Sequence, residues 1–77
     1  MNLDERIVKV MTSVLGVSKD QINENSSKDT IAGWDSLKHM NLLLALEQEF
    51  NVTIPDEDAA DLTSYKLIHL VLKDLIN

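Results

Sequence analysis

The stretch Ala32–Phe50, AGWDSLKHMNLLLALEQEF, decides how the chain folds. Asp35 is of a type that caps helices through a side-chain oxygen, and no Pro or Gly interrupts the run from Ser36 to Phe50. The pattern predicts a helix over those residues. At about 100° per residue, its apolar side chains fall on two arcs rather than one. Leu42, Leu43, Leu46 and Phe50 share the side that must face a core. Leu37, Met40 and Leu44 form a second arc, bordered by Asn41, Glu47 and Gln48, and Ser36 lies at the helix start between the two. A core accounts for the first arc and does not need the second. Two compatible readings follow. The preceding loop covers the second arc through Ile31 or Trp34, or the arc is an exposed strip for another protein, where Met adapts well.

Upstream, Leu3, Ile7, Val10, Met11 and Val14 recur at helical spacing, predicting a helix from about Leu3 to Leu15. Asn2 can cap it, Glu5 completes a capping box, and Gly16 supplies the stop. A long connection runs from Val17 to Asp35, with room for one short turn capped by Ser18. So long a loop in a small domain must be held down, and Ile22, Ile31 and Trp34 read as its pins. Downstream, Pro55 and Asp56 start a short acidic helix, DEDAADL. A last helix spans about Tyr65 to Ile76, capped by Thr63 or Ser64, with Leu67, Ile68, Val71, Leu72 and Leu75 as its buried stripe. NVTI is too short to build a sheet. The expected class is all-α: a small four-helix bundle, three main helices plus a short third, with a long loop between helices one and two.

At 77 residues the chain reads as one domain, 1–77, near the lower limit for a self-sufficient core. A large catalytic cleft does not fit beside such a core, so a non-catalytic protein is expected. Hydrophobic residues at 44% and charged residues at 26% are ordinary for a globular protein and oppose disorder. Thirteen acids against seven bases leave a charge of −6. That argues against nucleic acid and anionic membranes as partners and suits docking to basic protein surfaces. No cysteine is present, which excludes a disulfide framework, a thiolate nucleophile and a cysteine metal site, and fits a reducing compartment. MNLDERIVKVM carries acids where a signal peptide carries positive charge, and no apolar run nears the roughly 20 residues of a membrane span. A cytoplasmic monomer is expected.

Ser36 poses the chemical question. A nucleophilic serine needs a base oriented by a third group, and His39, three residues on and turned toward the core side, lacks one. His39 and His69 lie on different helices with no ligand spacing, and PDEDAAD lacks the glycine turn of a calcium loop, so no metal is expected. Attachment suits Ser36 better than catalysis. A phosphate ester there would meet the free N–H groups and the dipole of a helix start, an electrostatic benefit of about 0.3–1 kcal/mol.

DSL opening an apolar helix, then LALEQEF and IPDEDAADL in that order, resembles the acyl carrier protein family over nearly the whole chain. The resemblance implies 4′-phosphopantetheine attached to Ser36, its thiol carrying acyl groups as thioesters, and a holo-acyl-carrier-protein synthase (a phosphopantetheinyl transferase) that adds the arm from coenzyme A. It also implies acyl-transferring and acyl-elongating enzymes as partners. Asp35 and Leu37 match the residues flanking the family's serine. Glu47 and Glu49 match part of its acidic docking face, beside the strip of Leu37, Met40 and Leu44. Leu46, Ile54, Ala59 and Leu62 match the lining of its acyl pocket. Lys38, Asn41 and Gln48 stand where primary fatty-acid carriers usually have acids, and Trp34 looks like specialised carriers of lipid, polyketide, peptide or surface-polysaccharide pathways. A housekeeping fatty-acid carrier, an aminoacyl carrier and an unmodified interaction module remain the alternatives.

Overall fold

The computed structural model describes residues 2–76. Among them the chain forms α1 (Leu3–Leu15), one 3₁₀ turn (Lys19–Gln21), α2 (Ser36–Phe50), α3 (Asp56–Ala59) and α4 (Tyr65–Ile76). α1 and α2 begin and end, and α4 begins, at local capping signals. The Glu5 N–H donates to Asn2 Oδ1 at 2.8 Å, and Gly16 takes the left-handed conformation (φ 70°) that closes α1 onto the Thr12 carbonyl. Asp35 Oδ1 accepts the Lys38 N–H at 2.8 Å, and Asn51, at φ 55°, ends α2 in the same left-handed way. Ser64 Oγ caps α4 by accepting the Leu67 N–H at 3.2 Å.

All four helices and the long loop meet in one core. Ile7, Met11, Leu42, Leu46, Leu62, Ile68 and Leu72 are fully buried within it. Ile22, Ile31 and Trp34 pin the loop into the same cluster. The loop is also stitched to the segment before α4. The Lys28 N–H donates to the Thr63 carbonyl and the Tyr65 N–H to the Ser26 carbonyl, both at 2.9 Å, about an isolated antiparallel bridge between Ser27 and Ser64. α1 and α2 are joined by Arg6, whose Nε donates to Glu49 Oε2 at 3.0 Å and whose Nη2 donates to the Glu49 carbonyl at 2.7 Å. The same guanidinium lies 4.4 Å from the centre of the Phe50 ring.

Two expectations need correction. The short acidic helix stops at Ala59 and does not run through to Leu62. Beyond it the chain turns, with the Asp61 N–H on the Asp58 carbonyl, and so delivers Leu62 into the core. In α4, Leu67 is 40% exposed and does not belong to the buried stripe. It sits one residue, about 100°, round the helix from Ile68, beyond the edge of the face that meets the core. Ile68 and Leu72 are buried there, with Val71 and Leu75 half-buried beside them. No helix among the described residues is long and apolar enough to cross a membrane.

Tyr65 ties α4 back to α1, its hydroxyl donating to Asp4 Oδ1 at 2.7 Å, while His69 Nε2 lies 3.1 Å from the same oxygen. Burial, then the hydrogen bond to Asp4, then the charge of Asp4 raise the Tyr65 pKa well above its ordinary value. A raised pKa means that the neutral phenol is favoured by folding. Its contribution to stability is whole below about pH 10, the unfolded value, and is lost as pH climbs toward the folded value. Tyr65 is the chain's one tyrosine, so ultraviolet titration of tyrosinate reports it directly. We expect titration above the free value, and Asp4→Asn to bring it part of the way back, because burial remains.

Candidate functional site at the start of α2

Ser36 is the first helical residue of α2 and is exposed to solvent. The helix cap is made by the residue before it, so Asp35 and not Ser36 satisfies the Lys38 N–H, and the Ser36 hydroxyl is left over. The His39 N–H reaches the Asp35 carbonyl at 2.8 Å. The N–H groups of Ser36 and Leu37 have no partner among the described residues, as the first turn of a helix requires.

Beside Ser36 lies the second apolar arc of α2. Leu37 is 67% exposed, Met40 62% and Leu44 57%. The loop does not cover it: Ile31 and Trp34 point into the core instead, at 6% and 3% exposure. Leu42, Leu46 and Phe50 are buried on the other side, with Leu43 half-buried. Asn41, Gln48 and Asn51 extend the exposed strip with uncharged side chains. Neither acid of the expected docking face is free. Glu47, which borders Met40, accepts the Ile54 N–H on its Oε2 at 2.8 Å and so closes the turn after α2. Glu49 points to α1, held by Arg6, and the structure does not bring it to the strip. Leu46, Ile54 and Leu62 are all buried in the core, and half-buried Ala59 packs against that core.

His39 has a place that its sequence position does not reveal. The Trp34 indole N–H donates to His39 Nδ1 at 3.1 Å, the two rings stacked with centroids 6.1 Å apart. The other ring nitrogen, Nε2, lies 2.9 Å from the Ala59 carbonyl. An indole N–H only donates and a carbonyl only accepts, so the imidazole is neutral here with its proton on Nε2. Both ring nitrogens are thus engaged away from the Ser36 hydroxyl, so His39 does not stand as a base to it.

The family model described as a phosphopantetheine attachment site matches residues 5–68, most of the chain. The chain belongs to this family. It is a phosphopantetheine-carrying protein, and its cofactor is 4′-phosphopantetheine, held covalently. When bound, that group supplies a thiol at the end of a flexible arm. The start of α2 fits it: an exposed hydroxyl, two free backbone N–H groups able to face phosphate oxygens, and open solvent in front. A carrier of this kind needs from its own fold a rigid base for the tether and a surface that other proteins recognise.

Proposed function

We propose that Ser36 bears the arm and that the protein carries acyl intermediates as thioesters for a specialised lipid, polyketide or surface-polysaccharide pathway in the cytoplasm, as a single monomeric domain over 1–77. The observation that carries the reading is an uncommitted, exposed serine hydroxyl at a capped helix start, directly beside an apolar strip that the core leaves uncovered. Leu37, Met40 and Leu44 dock the phosphopantetheinyl transferase and the acyl-processing enzymes, with Glu47 at the edge. Leu46, Ile54, Ala59 and Leu62 line the pocket for the acyl chain. The test is incubation with coenzyme A and several broad-specificity phosphopantetheinyl transferases, read by intact mass. One added arm is the expected result, and an unchanged mass with every transferase points to an unmodified interaction module.

The charge along α2 supports the specialised pathway. Its first turn contains no acid, Lys38 forms no ion pair among the described residues, and Glu47 is already bonded to the backbone. Much of the net negative charge lies instead on Asp56, Glu57, Asp58 and Asp61. An acidic face draws basic enzymes by an attraction that raises the on-rate and fades with salt. We expect poor malonyl loading and elongation by a general bacterial fatty-acid system, improved at low salt by Lys38→Asp with Asn41→Glu. Equal, efficient turnover by both proteins would favour the housekeeping assignment.

A further inference from the structure

Three segments converge on one imidazole: the end of the long loop through Trp34, α2 through His39 itself, and the last carbonyl of α3 through Ala59. Ser36 lies between Trp34 and His39 in the chain and takes no part in these bonds. Trp34 is 3% exposed, so its indole N–H has no ready access to water and depends on His39 Nδ1. The Ala59 carbonyl in turn holds the proton on Nε2 and keeps Nδ1 an acceptor. We propose that His39 is a positioning residue for attachment of the arm: by holding the indole of Trp34 it fixes the path of the chain into α2 and so places the Ser36 hydroxyl for the transferase.

The coupling from His39 to Ser36 runs through the backbone. Asp35 is extended (φ −100°, ψ −173°) between a buried anchor on one side and the first helical turn on the other. With its acceptor gone, the indole turns to find water, and Trp34 moves. Asp35 and Ser36 follow, because only one residue separates the anchor from the hydroxyl. A displacement of about 1 Å in a reacting group is enough to cost up to roughly a hundredfold in rate. Most of the strip, Met40 and Leu44, lies one to two turns farther along α2, away from the Trp34 anchor, so docking should largely survive.

The inference rests on Ser36 as the attachment point, and the experiment separates the two. Kinetics of arm transfer from coenzyme A are measured for the wild type, His39→Gln, His39→Asn and Trp34→Phe, all checked by circular dichroism at the assay temperature. Gln reaches the place of Nε2 and keeps a donor for Ala59, but leaves the indole without an acceptor. Asn puts its amide oxygen near the place of Nδ1 and keeps the indole bond. Trp34→Phe removes the same bond from the other side. We expect kcat to fall roughly ten- to hundredfold for His39→Gln and for Trp34→Phe with KM little changed, and His39→Asn to stay near the wild type. Trp34 is the chain's one tryptophan, so its indole N–H gives a single resonance. Its slow hydrogen exchange should persist in His39→Asn and vanish in His39→Gln. An unchanged kcat in His39→Gln or Trp34→Phe, or an equal fall in His39→Asn, overturns the proposal while Ser36 stands. A wild type that accepts no arm overturns the reading of Ser36 and this proposal with it.

Discussion

Ser36→Ala is expected to leave the protein folded and to abolish attachment of the arm completely. The hydroxyl is exposed and makes no hydrogen bond within the described residues, and the cap of α2 belongs to Asp35. Alanine at the first helical position keeps the helix, so the change in stability should stay within about 0.5 kcal/mol. Asp35→Ala is the informative contrast. It removes the acceptor of the Lys38 N–H and should lower stability by about 1 kcal/mol, whereas Ser36 itself remains. Intact mass after incubation with coenzyme A and the transferase, together with thermal melts, measures both. An arm still added to Ser36→Ala would move the attachment point elsewhere in the chain.

Leu46→Ala should cost about 2–5 kcal/mol, and Leu44→Ala, two residues earlier on the same helix, only a small fraction of that. Leu46 is 0% exposed in the core, so its truncation leaves a cavity that the neighbours fill poorly. Leu44 is more than half exposed, and shortening it exchanges one solvated surface for another. A domain of this size holds only about 5–15 kcal/mol in all, so Leu46→Ala brings it close to unfolding. Arm transfer and acyl loading test the exposed strip separately from stability. There Leu44→Ala weakens turnover through a raised KM although its melt barely moves. Equal losses of melting temperature at Leu44 and Leu46 would show that α2 does not have two distinct apolar faces.

The three long helices were legible because their limits are written in neighbouring residues. Asn2 before Leu3, Gly16 after Leu15, Asp35 before Ser36 and Ser64 before Tyr65 act within four positions along the chain, where one hydrogen bond decides the boundary. The separation of Leu37, Met40 and Leu44 from the core face was legible for a related reason. Helical periodicity separates them from Leu42, Leu46 and Phe50 before any neighbour is known. That the loop leaves them bare was not legible. It depends on where Ile31 and Trp34 go, and both found the core more favourable than the strip.

What remained hidden lies in contacts between residues far apart in the chain or placed by a turn. Glu49 looks like a docking acid until Arg6, 43 positions away, is seen to hold it. Glu47 looks the same until the turn after α2 brings the Ile54 N–H to its carboxylate. Leu67 fits the apolar stripe of α4 by spacing, yet the angle at which α4 meets the core leaves it outside. His39 reads as a packed histidine, and only the fold supplies an indole on one nitrogen and the carbonyl of Ala59, 20 positions on, at the other. The sequence by itself thus determined the helices, their caps and the serine at the mouth of α2, because those depend on short-range periodicity and local hydrogen bonds. The tertiary structure alone decided which charges are free and where the imidazole of His39 finds its partners, because those follow from how separate segments pack and which buried polar groups must find partners.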